Sequence, residues 1–251
     1  MSEPPGAPVL RVAMWSGPRN ISTAMMRAWE NRPDTVVVDE PFYAAYLAAT
    51  RLDHPGRDEV LRAQPQDPAA VVAGLLAPVP DGVRVHYAKH MTHHLDAVPD
   101  LDWVGRCRNV LLIRDPAEVV ASYVRSREAC APRDIGLLQQ ERLLAVLEQL
   151  GQPDPPVLDA ADVLREPETY LRWVCDWLGI PFSERMLAWP AGPRDSDGVW
   201  APHWYDAVLA STGFAPYRER QVHLDPRGAA VAAACRPAYD RLRERRLRLA
   251  G

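Results

Sequence analysis

Four short stretches of this 251-residue sequence combine residue types that can hold anions or move protons. The first is Ser16-Gly17-Pro18-Arg19-Asn20-Ile21-Ser22-Thr23, between an apolar run and a helical pattern. A strand, a tight turn and a helix start present free backbone N–H groups and a positive dipole end to an anion. Arg19 adds a permanent charge, and Ser22 and Thr23 add hydroxyl donors. As plain structure, the same stretch is a turn with a serine cap. It does not have the G-x-x-x-x-G-K-S/T form of a nucleoside-triphosphate loop, because the second glycine and the lysine are missing.

The second stretch is Ile113-Arg114-Asp115-Pro116, with Ser122 eight positions after Arg114. Arg114 precedes a helix, and its long side chain can fold back toward the Ser122 face. An Arg–Ser pair of this kind can hold a second phosphate. The plainer alternative is a surface arginine and a buried helix serine.

The third and fourth stretches carry proton chemistry. Glu40, in Asp39-Glu40-Pro41-Phe42, ends a short β-branched run. Ligand sites of open α/β sheets lie beyond such strand ends. A carboxylate there is a candidate general base if partial burial raises its pKa, and otherwise an acid that caps the next helix. Lys89-His90-Met91-Thr92-His93-His94 offers His90 and His93 as alternative bases, since imidazole titrates near neutral pH. Lys89, the only lysine of the chain, fits neutralisation of a leaving or bridging oxygen. Three histidines in five residues also suggest a metal site. No carboxylate or cysteine stands at ligand spacing, so no metal is expected.

These stretches sit in an alternation of short apolar runs and helical patterns, which predicts a parallel sheet covered by helices. Strands are expected over 9–15, 35–38, 84–88, 109–113 and 157–158. Helices are expected over 20–31, near 68–76, from Pro116 to about Arg127, and over 134–150, 167–178 and 227–249. Residues 190–202 read as a long ordered loop. Dense aromatics follow Leu187 (Trp189, Trp200, Trp204, Tyr205, Phe214) and suit either an apolar acceptor pocket or the attachment of that loop. Phe42, Tyr43 and Tyr46 are further candidates for the acceptor side. With no repeat or linker in view, one α/β domain spanning 1–251 is expected.

Composition narrows the partners. The chain is 47% hydrophobic and 25% charged, with a formal net charge of -4. It exerts no bulk attraction on nucleic acid or an anionic membrane, so any anion site must be built locally. The arginine-rich 241–248 segment is read as a solvated face rather than a nucleic-acid arm. Cys107, Cys130, Cys175 and Cys235 form no C-x-x-C pair and are expected as reduced thiols. The first residues lack the basic and apolar regions of a signal peptide, and no apolar run reaches membrane-spanning length. A cytoplasmic location is expected.

Together, the first loop and the strand–Arg114–x–Pro116–helix–Ser122 segment resemble sulfotransferases that use 3′-phosphoadenosine 5′-phosphosulfate (PAPS). Asp159 to Leu164, Pro167 and Leu178-Gly179-Ile180-Pro181 resemble a late strand, helix and turn of that family. Arg194 with Gly198-Val199-Trp200 is similar to its C-terminal loop. The resemblance implies a P-loop-like sulfotransferase fold and a PAPS co-substrate. Its 5′-phosphosulfate would lie at Gly17 to Thr23, and its 3′-phosphate at Arg114, Ser122 and Arg194. It implies sulfuryl transfer, without a metal, to a hydroxyl or amine of a small-molecule acceptor. Arg19 stands where cytosolic members carry lysine, Ile21 where they carry glycine, and Met91 where they carry the histidine of Lys-x-His. Several bacterial and carbohydrate-type members use a glutamate in a place comparable to Glu40. The competing readings are a catalytically silent nucleotide-binding protein of the same fold, and a small-molecule kinase, which would need the missing lysine and a magnesium-binding acid. A homodimer is compatible with all three.

Overall fold

The computed structural model describes residues 8–124, 130–219 and 221–249. Its centre is a five-stranded sheet in the order β2-β3-β1-β4-β5, formed by β1 (Leu10–Ser16), β2 (Thr35–Asp39), β3 (Val85–Met91), β4 (Arg108–Ile113) and β5 (Val157–Asp159). Every pairing is parallel. Such strands are buried on both faces, which explains their near-continuous apolar runs. The helices are α1 (Ser22–Glu30), α2 (Tyr43–Thr50), α3 (Arg57–Ala63), α4 (Pro68–Leu76), α5 (Pro116–Tyr123), α6 (Leu137–Gln149), α7 (Ala160–Arg165), α8 (Pro167–Leu178), α9 (Ala201–Trp204), α10 (Asp206–Leu209) and α11 (Pro226–Glu244).

The two faces hold separate cores, sorted by the period-2 alternation of strand side chains. Ala13, Trp15, Ala88 and Leu111 join α5, α6 and α11 on one face. Val12, Met14, Val85, Tyr87 and Val110 join α1 and α8 on the other. β1 and β4 are neighbours, yet the helices that follow them cover opposite faces. The chain therefore opens a crevice beyond the carboxyl ends of β1 and β4, where ligands of open α/β sheets bind.

Three boundaries differ from the sequence expectation in ways that matter. β3 runs on to Met91, three residues beyond the expected end. Lys89 and His90 thus belong to the strand and point to opposite faces. The expected helix over 134–150 is broken. A 3-10 turn, Pro132–Ile135, is followed by Gly136 in the left-handed region (φ 83°), and only then by α6. The loop expected over 190–202 runs into the short helix α9. The distal end of the helix expected to reach Arg127 lies outside the described residues.

The break at Gly136 brings the Ile135 carbonyl against Gly17. A Cβ at Gly17 would lie 2.1 Å from that oxygen, and one at Gly136 would lie 3.0 Å from the Gly17 Cα. Gly17→Ala is expected to lower unfolding free energy by ~1–3 kcal/mol, because backbone must move. Gly74→Ala, on exposed α4 with nothing within 4 Å, should be neutral or stabilising by ~0.5–1 kcal/mol. Urea unfolding of the two variants checks the contrast.

Candidate active site

The first loop folds as an anion cradle. Arg19 occupies the left-handed region (φ 55°), which sharpens the turn out of β1. Asn20 braces it: Nδ2 donates to the Leu112 carbonyl (3.0 Å), and Oδ1 accepts from the Ile21 N–H (2.9 Å). Thr92 Oγ1 donates to the Ser16 carbonyl (2.8 Å), and Gln140 Nε2 donates to the carbonyls of Trp15 and Leu112. α1 begins without a side-chain cap. By contrast α4, α5, α7 and α11 are each capped by an aspartate. The first-turn N–H groups of α1, whose start lines the cavity, are open to an outside acceptor.

The second basic element meets the first. Arg19 Nε donates to Ser122 Oγ (3.1 Å), and Arg114 Nη1 donates to the Arg19 carbonyl (2.8 Å). Arg114 also forms a two-point pair with Glu118 through Nε (3.0 Å) and Nη2 (2.8 Å). Three of the roughly five guanidinium N–H donors are thereby used, and the rest remain for a ligand.

On the β2–β3 side lies a buried charge cluster. Asp39 and Lys89 are directly paired across the strands. Lys89 Nζ donates to Asp39 Oδ1 (2.8 Å), Glu40 Oε1 (2.8 Å) and the Tyr205 hydroxyl (2.5 Å). That hydroxyl donates to Asp39 Oδ2 (2.6 Å) and accepts from Trp200 Nε1 (3.2 Å). Burial alone would lower the Lys89 pKa, but Asp39, Glu40 and Tyr205 outweigh it and hold the ammonium well above its ordinary range. Burial raises Glu40 above the usual carboxylate value, with Lys89 opposing and Asp39 reinforcing the shift. Glu40 is itself in the left-handed region (φ 41°). Its N–H donates to the Lys89 carbonyl (2.9 Å), and its own carbonyl accepts from Tyr43 N–H (3.0 Å) and Gln64 Nε2 (3.2 Å). Arg19, Glu40 and Arg51 are the described non-glycine residues at positive φ. Two of these three stand in this crevice, and backbone held in such regions concentrates at functional sites.

Both elements face one cavity of about 420 Å³, a size suited to a small ligand. Pro18, Arg19, Asn20, Ile21, Ser22 and Thr23 line one side, with Arg114 and Ser122. Glu40, Lys89 and His93 line the other. Gly17 stands behind the loop as the point of contact with Ile135.

Two expected site residues lie elsewhere. His90 faces the opposite side of the sheet from Lys89. It stacks on its register partner Trp15 (centroids 4.1 Å, 18°) and packs against Phe42 and Trp103. Burial, with His86 adding, lowers its pKa to about 3. It is a core residue and does not line the cavity. Arg194 does not line it either. The backbone N–H of Arg194 donates to Asp197 (2.9 Å), whose carboxylate clamps Arg27 of α1 at 2.6 and 2.7 Å. That loop is pinned to α1, with Gly198 so close to Trp200 that a Cβ would clash with the indole. His93 does line the cavity, but burial, with His54 adding, lowers its pKa to about 3. Its Nδ1 has no partner among the described residues. A general-base histidine needs a partner to orient it and to stabilise the imidazolium. Lys89, for its part, spends all three ammonium donors within the cluster.

Two contributors to the cluster carry little signal of their own in the sequence. Asp39 was visible only as the neighbour of Glu40, and Tyr205 only as one of several loop aromatics. A lone lysine beside a strand-end Asp-Glu was the one available signal. Nothing in the spacing showed that a phenol some 116 positions later completes the cluster.

A family model described as a sulfotransferase domain matches residues 10–246. The chain belongs to the sulfotransferase domain family. The fold of this sulfotransferase-family chain is shared with solved structures of low identity. The sulfotransferase domain of the Synechococcus PCC 7002 olefin synthase aligns with TM-score 0.52 at 17% identity, covering 93% of this chain and 97% of that one. The sulfotransferase from Alicyclobacillus acidocaldarius aligns with TM-score 0.50 at 14% identity, covering 92% and 94%. Among curated relatives, the Arabidopsis thaliana protein named branched-chain-amino-acid aminotransferase-like protein 1 is 40% identical over 201 residues, 80% of this chain and 36% of that protein. Its namesake, protein 2, is 35% identical over 235 residues, 91% of this chain and 40% of that protein. The chain thus spans about two fifths of the length of these relatives. Among the described residues, no helix is long and apolar enough to cross a membrane, and no group of three or more His, Cys, Asp or Glu is placed to hold a metal ion.

Proposed function

We propose that this sulfotransferase-family chain moves a sulfuryl group from PAPS to a hydroxyl of a small acceptor, with Glu40 as general base. The observation that carries this reading is the meeting of two basic anion elements and one buried carboxylate on a single cavity. The uncapped start of α1 and the Arg19 turn suit the 5′-phosphosulfate. Arg114 and Ser122, at the end of the neighbouring strand, suit the 3′-phosphate. That group distinguishes PAPS from ATP.

Glu40 takes the proton of the acceptor hydroxyl as the acceptor oxygen forms its bond to sulfur. The bond from sulfur to the bridging oxygen breaks, and its electron pair leaves on the 5′-phosphate. Arg19 and the loop amides stabilise that developing charge. Lys89 is a positioning residue in this scheme. It fixes the Glu40 carboxylate, while Asp39 and Tyr205 share its charge and keep Glu40 basic. The transferred group carries less charge than a phosphoryl group, so positioning and fixed positive charge suffice.

Turnover tests the reading. Purified protein incubated with PAPS and a panel of hydroxylated acceptors should release 3′-phosphoadenosine 5′-phosphate (PAP) in step with sulfated product. Tight PAP binding without product on any acceptor would instead indicate a catalytically silent nucleotide-binding protein.

A further inference from the structure

The wall of the cavity opposite the anion elements is built from two adjacent histidines and two tyrosines. His93 and His94, in the 3-10 turn Thr92–Ala97, are 7% and 2% exposed, and both line the cavity. Stacking holds their rings. His94 lies face to face with Tyr43 (4.9 Å, 10°) and Tyr46 (4.8 Å, 29°). His93 stands edge-on to Tyr46 (5.2 Å, 83°) and to His94 (4.5 Å, 71°). In each ring Nδ1 is enclosed and has no partner among the described residues. Neither Nε2 is among these enclosed atoms, neither has a hydrogen-bond partner among the described residues, and both residues line the cavity.

Both rings are neutral at physiological pH. Burial is the main cause, with His54 adding for His93, and with His93, His54, Lys89 and His90 adding for His94. With Nδ1 untied, the single proton of each ring can sit on either nitrogen, so each Nε2 can donate or accept. The electrostatics of this side also select. Lys89 acts on His94 from this side of the cavity, and two carboxylates already share it. An anionic group placed against these rings would lose its hydration beside two carboxylates that already share the ammonium.

We propose that His93 and His94 form the acceptor-reading subsite, and that the acceptor is an uncharged, flat compound with two polar groups. One is the hydroxyl presented to Glu40. The other is a hydroxyl or carbonyl hydrogen-bonded by the imidazole Nε2 atoms. The stacked Tyr43–His94–Tyr46 wall supplies the apolar surface for its body. This deepens the proposed function, since the ligand is read as the acceptor of that reaction. The histidine–tyrosine wall is distinct from the donor elements, so the two can fail separately.

Equilibrium binding of three ring compounds to the full chain, read by ¹⁵N-histidine NMR, tests the inference. The probes are phenol, resorcinol and 3-hydroxybenzoate, each titrated with and without PAP. Resorcinol is expected to bind about tenfold tighter than phenol, the worth of one well-made hydrogen bond. It should shift the Nε2 signals of His93 and His94, and 3-hydroxybenzoate should bind weakest. His94→Phe keeps the stack and should narrow the gap between resorcinol and phenol to what His93 alone supplies, with only the His93 Nε2 signal still shifting. If that variant does not fold, the wild-type ranking and Nε2 shifts decide alone. Equal binding of phenol and resorcinol, or tightest binding of 3-hydroxybenzoate, overturns the inference. PAP binding accompanied by either result leaves the donor reading standing. The expected ranking without PAP binding sinks the donor reading and keeps this subsite.

Discussion

Glu40→Gln is expected to lower kcat/KM for sulfuryl transfer by about 10²–10⁴-fold, the range of a lost general base. The amide is nearly isosteric, and its oxygen can still accept from Lys89 Nζ, so the cluster should stay folded. PAP affinity should be unchanged, because Glu40 lies apart from Arg114 and Ser122. The pH profile gives a second signature. Burial raises the Glu40 pKa above the ordinary carboxylate value. The base is active only when ionised, so the wild-type rate should rise with pH on a limb displaced above the usual carboxylate range. That limb should vanish in the variant. A Glu40→Gln enzyme with near wild-type turnover and the same limb would remove Glu40 from the mechanism.

Lys89→Met should be the most destabilising single change in the site. Lys89 is 1% exposed and holds Asp39, Glu40 and Tyr205 together. Removing it leaves two buried carboxylates side by side with no counter-ion, an effect of ~3–5 kcal/mol. The sign of the pH dependence follows. In the wild type the Lys89 pKa is raised, so its contribution is whole at neutral pH and is lost only as pH climbs through that raised value. In the variant Glu40 loses the Lys89 contacts that opposed its upward shift, so the folded state binds more protons than the unfolded one. The deficit should therefore shrink as pH falls. Urea unfolding of both proteins near neutrality and in mildly acidic buffer measures this. A deficit that is small, or that grows on acidification, would contradict the cluster as described.

Much of the architecture was legible because parallel strands announce themselves. The run Asn109 to Ile113 and Pro116 at the first helical turn marked β4 and the start of α5, and with them the place of Arg114. The first loop was legible for the same reason. Its neighbours form a strand and a helix of opposite character.

Failure came where one residue of register decides the face. Ending β3 at Ala88 set Lys89 and His90 together at the end of the strand, as members of one site. The ladder to β1 continues to Met91, and the period of two sends Lys89 to Asp39 and His90 under Trp15. The break at Gly136 was hidden by the helical pattern on both sides of it. Its cause is a contact with Gly17, some 119 positions earlier. Tyr205 and the clamp of Asp197 on Arg27 are likewise long-range, and no local spacing encodes them. The family resemblance placed Arg194 at the donor; in the structure its loop is clamped to α1 through Asp197, and its Nη2 is buried without a partner among the described residues.

Calorimetric titration with PAP beside AMP tests the central claim most directly. It should be done on the wild type and on Arg114→Ala. Selective binding of PAP is predicted, and Arg114→Ala should weaken it by roughly 10–100-fold while leaving AMP unaffected, as expected for the loss of a charge-assisted hydrogen bond. Equal affinity for PAP and AMP, or PAP binding indifferent to Arg114, would contradict a 3′-phosphate site and with it the proposed donor.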